Sequence, residues 1–247
     1  DNPTNLLQLG DLDMNNVELL NEGNSPFALG ISDNAYRLSS TWDLTRRRDY
    51  YLIDIRSGER KLVFQGLSGK MEVSPNGKYL VYYNAENGLW SSYSIATQET
   101  KVLNKKIKTM FFDEENDSPI FAQPYGIAYF TEDDKTVLIN DRYDIWEFDL
   151  EGNQRPKNVT NGYGRKNKIT FNLPKLNEEV KTIVRETPIY LGAFNTIDKQ
   201  SGVYQTVLAK AKNPEKVNMS STWGIHNFNK ALDSGNYIYT KESFQNS

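Results

Sequence analysis

The chain has 247 residues, 38% of them hydrophobic and 12% aromatic, with fifteen Tyr and eleven Phe. That length suffices to bury one large core or two smaller ones, and the aromatic content suits pleated, half-buried surfaces. A formal net charge of −3 and the absence of cysteine argue against a basic nucleic-acid footprint and exclude disulfides, thiolate metal sites and a cysteine nucleophile.

No apolar stretch approaches the roughly 20 residues needed to cross a bilayer. The opening "DNPTNLLQLG" has neither the basic nor the apolar region of a signal peptide. The expectation is a protein that stays inside, or a mature or trimmed form of an exported one.

In chain order, "DLDMNNVELLNE" (11–22) places Asp11, Asp13, Asn15 and Glu22 at the first, third, fifth and twelfth positions of a calcium loop. Asn16 stands where the loop needs glycine and Glu18 where it needs an apolar residue, so a polar stretch between strands is expected. "YYLIDIRSGERKLVF" (50–64) reads as strand, Ser-Gly turn and strand. "KYLVYYN" (78–84) and "LWSSYSI" (89–95) flank the turn Glu86-Asn87-Gly88. "LNKKIKTMFFDEEND" has room for one short turn of helix. "GIAYFTEDDKTVLIND" (126–141) and "DIWEFDLEGNQRPKNVT" (144–160) are again hairpins by turn and alternation, as are "TPIYLGAFNTIDKQSGVYQTVLAKAK" (187–212) and the start of one in "NKALDSGNYIYTKES" (229–243).

These units align. "YYLIDIRSG", "WSSYSIATQ", "IWEFDLEGN" and "YQTVLAKAK" each run from an aromatic through alternating apolar residues to a turn, with starts 40, 55 and 59 residues apart. Recurring units of four short strands are the signature of propeller blades, which cannot hide their own apolar faces and must stack on neighbours. The expected fold is all-β: a single β-propeller domain over 1–247, with about five blades of four antiparallel strands. The blades divide roughly as 1–30, 31–66, 67–104, 105–165, 166–220 and a partial 221–247. Residues 74–103 supply strands two, three and four of one blade. The competing architecture is a β-sandwich. A ring of this size is expected to be an incomplete part of a larger propeller, whose open edge strands invite self-association.

No catalytic, cofactor-binding or metal-binding residue is assigned. Gly30-Ile31-Ser32-Asp33-Asn34 lacks the closing glycine of a nucleophile elbow, and in "GLSGK" (66–70) the serine comes one position late. His226 is the one histidine, and it has no such framework around it. "FFDEENDSP" (111–119) reads as a solvated acidic loop, and "RYDIW" (142–146) as charges flanking a core aromatic, with Arg142 pairing a nearby acid between blades. "NGYGRKNK" (161–168) lacks phosphate-loop spacing and reads as a loop that opens no helix. The basic runs "TRRRDYY" (45–51) and "NKKIKTM" (104–110) are expected to be solvated turns.

"MEVSPNGKYLVYYN" and the stretch from Phe111 to Leu173 resemble the β-propeller domain of prolyl oligopeptidase-type, dipeptidyl peptidase IV-like serine peptidases of Bacteroidetes-like bacteria. The residues that carry the resemblance are Asp113, Glu114, Glu115, Asp117 and Pro119, then Pro124-Tyr125-Gly126, Asp133-Asp134, Asp141 to Trp146, and Thr160 to Lys166. The resemblance implies a chain with no catalytic centre of its own, whose parent is a serine peptidase. It implies an exported, periplasmic or cell-surface location and no cofactor. The implied partners are the α/β-hydrolase domain of the same parent chain and peptide substrates, with no nucleic acid and no membrane span. It also implies that propeller carboxylates can hold a peptide N-terminus, though no motif matches residues 113–117 to that role. The alternatives are a self-standing propeller that binds protein or glycan through Trp42, Trp90, Trp146 or Trp223, and a propeller glycosidase built on two convergent carboxylates.

Overall fold

The structure is a computed structural model that describes residues 6–14, 16–174, 180–210, 212–230 and 236–243, with 225–230 as backbone only. The chain forms two compact units, one of Asp1–Val102 with Glu115–Pro124 and one of Leu103–Glu114 with Tyr125–Ser247.

In the first unit, strands β1 (Asn16–Leu19), β2 (Phe27–Ser32), β3 (Arg47–Asp54), β4 (Arg60–Val73), β5 (Tyr79–Asn84), β6 (Leu89–Ser94) and β7 (Thr100–Val102) follow one another in a seven-stranded antiparallel sheet. The long strand β4 serves two neighbours in turn. Up to Ser68 it pairs with β3, in the register Arg47↔Ser68 and Arg48↔Leu67. From Gly69 it pairs with β5, running from Gly69↔Asn84 to Val73↔Leu80. The sheet is thus two runs of four strands that share β4. The hand-over needs glycine: at φ +142 a Cβ on Gly69 would lie 2.0 Å from the Tyr83 carbonyl oxygen. The segments expected at 1–30 and 31–66 lie in one sheet, and their boundary falls inside β2. Residues 74–103 hold β5, β6 and β7, as expected for the last three strands of a four-stranded run.

In the second unit, β8 (Ile127–Thr131), β9 (Thr136–Asn140), β10 (Ile145–Asp149) and β11 (Lys157–Asn158) form consecutive antiparallel pairs. A short helix, α1 (Tyr163–Asn167), leads into β12 (Ile169–Asn172), and β13 (Thr182–Ile183) adds to β8 in parallel. β12, β14 (Pro188–Asn195), β15 (Ser201–Val207) and β16 (Glu215–Ser220) make a four-stranded sheet, and β17 (Gly224–Lys230) pairs with β18 (Tyr237–Glu242). Among the described residues no sheet closes on itself.

The strand turns repeat in atomic detail. After β3, β6, β10 and β14 the residues Asp54, Ser94, Asp149 and Asn195 each accept backbone N–H bonds of the following turn on their side chains. The next residue's N–H always donates to the carbonyl just before the preceding neighbour strand, at Pro26, Lys78, Lys135 and Lys168. Such side chains mimic a backbone turn. The fourth copy follows β14, one strand earlier than the expected unit "YQTVLAKAK", which lies in β15 and its turn. That later turn has Leu208 where the others have a side-chain acceptor.

Both faces of the central strands are buried. Leu29, Leu52, Leu80 and Tyr93 pack on one side of the first unit, and Ala28 and Ile53 join Met14 on the other. In the second unit Leu138, Ile145, Phe171, Leu191 and Tyr204 share a core.

Candidate functional site

Three separate sequence stretches converge in the second unit. They are the segment ending at Glu114, the β9–β10 turn at Asp141 to Asp144, and α1 with its lead-in at Thr160 to Arg165. The β9–β10 turn is tight because Asp141 Oδ1 accepts the N–H groups of Tyr143 and Asp144, at 2.7 and 2.9 Å. Its second oxygen accepts the Trp146 indole N–H at 2.8 Å. Asp144, 1% exposed, accepts the Thr160 hydroxyl at 2.6 Å, the Gly164 N–H at 2.9 Å and the Arg165 N–H at 3.1 Å.

This carboxylate creates the helix. It accepts the N–H groups of the second and third residues of α1, and Gly162 enters at φ 69, a backbone region that favours glycine. The expectation that "NGYGRKNK" opens no helix is corrected here: the five-residue helix exists because Asp144, twenty positions upstream of Gly164, supplies the cap. Gly164 is held so closely that a Cβ would sit 2.4 Å from the Tyr143 carbonyl oxygen.

Arg165 then reaches Glu114 Oε1 at 2.7 Å and Asp141 Oδ1 at 3.3 Å. Its guanidinium lies 5.1 Å from the centre of the Tyr143 ring, and Arg142 and Lys168 also stand over that ring. Burial pushes the Asp141 carboxyl above the usual range, against the pull of its N–H donors and Arg165. The Glu114 hydrogen bond holds Arg165 more firmly protonated. Sequence spacing does not anticipate the pairing of Arg165 with these two acids. Phe111, fully buried, packs edge-on against Trp146 and Phe148 and fixes the segment that carries Glu114.

The oxygens of Asp141 and Asp144 are committed to N–H and O–H donors, and Glu114 to Arg165. The cluster is therefore a clamp that joins three stretches of chain. It offers no free carboxylate for proton transfer and no open metal position. Among the described residues no three His, Cys, Asp or Glu side chains gather as a metal set.

The other candidates separate. Asp11 spends its oxygens on the Asp13 and Met14 N–H groups and on Arg60, at 2.9 Å, and Asn15 lies outside the described residues. Gly30-Ile31-Ser32 forms the second half of β2, and a Cβ on Gly30 would meet the Met14 sulfur at 2.5 Å. Glu115 and Asp117 are exposed. Trp90 is fully buried, Trp146 is tied to Asp141, and Trp42 is 68% exposed. Trp223 lines a cleft of about 420 Å³ with Ser220, Thr222 and Glu242. His226 lies in β17, its side chain outside the described residues. Lys105, Lys106 and Lys108 sit on an exposed turn.

No protein-family model matches this chain, and no curated protein sequence matches it. Solved structures do. A putative dipeptidyl aminopeptidase IV from Bacteroides ovatus is similar at 10% identity and a TM-score of 0.51, over 91% of this chain and 36% of that one. Dipeptidyl peptidase 4 of Porphyromonas gingivalis is similar at 10% identity and 0.48, over 94% and 38%. The β-propeller domain of the Trilobed protease from Pyrococcus furiosus, described as having an open velcro topology, is similar at 10% identity and 0.46, over 94% and 68%. The chain therefore spans little more than a third of the two dipeptidyl peptidases. At these identities the likeness is one of fold, and it supports an all-β chain of antiparallel sheets of the propeller kind.

Proposed function

We propose that this chain is the non-catalytic propeller portion of an exported, dipeptidyl peptidase IV-like serine peptidase. It stacks on an α/β-hydrolase domain of the same parent chain and restricts which peptides reach the active serine. The observation that carries this reading is the coverage: 91% of this chain matches only 36% of the Bacteroides ovatus peptidase at a TM-score of 0.51. The clamp at Arg165 agrees with a scaffold role, since its carboxylates are spent on architecture. Single-domain organisation, about five blades and an incomplete ring belong to the same reading.

The gene tests it directly. The frame beyond codon 247 is expected to continue into a glycine-flanked elbow serine with a histidine later on, behind an export signal at the start of the gene. A stop codon within a few residues would overturn the proposal. A biochemical arm compares the parent protein with a form lacking this region: long peptides should be cleaved faster once it is removed, and short ones about equally.

Self-association through open strand edges is part of the proposal. β7 and β11, with three and two residues, are too short to template much pairing, whereas β16 and β18 have six each. Sedimentation of the isolated chain should show concentration-dependent dimers that disappear with proline at Val217; a strict monomer would refute this part.

A further inference from the structure

The run Arg46-Arg47-Arg48 is divided by strand alternation. Arg47 is satisfied by Asp43 at 2.7 Å and Glu86 at 3.0 Å. Arg46 and Arg48 take the other side and line a cleft of about 390 Å³ with Lys70, Leu44, Phe121 and Gln123. The cleft lies where β4 leaves β3 for β5, with Ser68 and Gly69 in its wall.

No acidic residue lines the cleft. Among the described residues neither Arg46 nor Lys70 forms an ion pair, and Arg48 meets the neutral Tyr50 hydroxyl, which Glu18 also influences. Three like charges facing one concavity repel each other, more strongly where its walls exclude water. No carboxylate in the cleft wall offsets that repulsion. Leu44 is 63% exposed and Phe121 39% exposed, so the same cavity presents apolar surface beside the cations. Its volume falls within the range of small-ligand sites.

We propose that this cleft binds an oxyanion, a carboxylate or a phosphate, carried on an apolar group. The guanidinium forks of Arg46 and Arg48 suit two-point contact with such an anion, Lys70 adds a point charge, and Phe121 with Leu44 covers the apolar part. The inference is independent of the peptidase reading, because it concerns a cavity formed wholly within the first unit.

The test titrates the intact chain with N-acetylphenylalanine, phenyl phosphate and the uncharged N-acetylphenylalanine amide, followed by amide NMR shifts and calorimetry. At least one charged probe should bind with a millimolar or tighter Kd, shift the Ser68 to Lys70 amides and weaken with salt, and the amide should bind about tenfold more weakly or worse. Whichever charged probe wins identifies the anion. The double variant Arg46→Gln with Lys70→Gln, at exposed positions, should lose about tenfold or more in affinity while its unfolding temperature does not fall. The proposal fails if no probe binds at about 20 mM, if amide and acid bind alike, or if the shifts map away from Ser68 to Lys70. It also fails if the double variant binds unchanged. The NMR map on the unaltered chain decides the matter even if a variant folds poorly.

Discussion

The two units solve one problem in different ways. Each must carry the chain from one small sheet to the next without leaving backbone groups unpaired. The first does it with a continuous strand: β4 bulges twice against β3 before Leu67 and then exchanges partners between Ser68 and Gly69 without a break in the strand. The second breaks the ladder after β11 and rebuilds the connection from side chains, with Asp144 capping α1 and Arg165 joining Glu114 to Asp141. A strand hand-over depends on backbone geometry and the absence of a side chain. A polar clamp depends on particular side chains being present, and its buried members are costly once any partner is lost.

Mutations can break this contrast. The largest effect is expected from Gly69→Ala. The new Cβ meets the Tyr83 carbonyl oxygen at 2.0 Å in a left-handed backbone, and strain plus overpacking should cost about 4 kcal/mol in urea unfolding. A loss below about 1 kcal/mol would show that the hand-over tolerates a side chain. Next comes Asp144→Ala, which orphans two N–H groups of α1 and leaves the Thr160 hydroxyl with Asn158 Oδ1 as its acceptor. About 3 kcal/mol is expected, along with hydrogen-exchange protection lost at Gly164 and Arg165 but kept at Gly69.

Smaller effects sharpen the comparison through what the units share. Asp54→Ala and Asp149→Ala each remove the turn acceptor after a third strand. Each should cost about 1 kcal/mol, and the two should add, because they share no partner. Unequal losses would mean that the repeated turn does different duty in the two units.

The mildest test is alkaline pH. Burial, together with the Asp49 hydrogen bond, pushes Tyr36 up to about 12. Burial alone does the same for Tyr83, and burial with Tyr163 nearby for Tyr204. A raised native pKa stabilises the fold while the phenol is neutral, and that share begins to fall once the unfolded phenol ionises near 10.0. Unfolding temperature should therefore decline between pH 10 and about 12, and more gently in Tyr36→Phe. A flat profile would show these phenols to be solvated.

Much of the fold was legible. The hairpins at 50–64, 78–95 and 126–160 appear where turn chemistry and alternation put them, and residues 74–103 give three successive strands. The fourth repeat lies one strand earlier than an aromatic start predicts, because the turn depends on a side-chain acceptor, which Asn195 supplies and Leu208 cannot. The candidate site was less legible. Glu114 and Arg165 lie 51 positions apart, and neither periodicity nor motif spacing pairs two residues across a strand-rich chain. The β9–β10 turn also places the Arg142 guanidinium over the Tyr143 ring, a contact that turn chemistry alone does not announce.

The local rules in the sequence determined where strands begin and end, because turns depend on residues close together: a Gly, an Asn or an Asp that accepts its neighbours' N–H groups. Packing decided what no local rule contains. It settled that β4 would serve two sheets, that Asp144 would draw a loop into a helix, and that one of three adjacent arginines would be neutralised while two were left facing a cleft. Those outcomes depend on which distant groups burial brings within hydrogen-bond reach, and that distance exists only once the chain has folded.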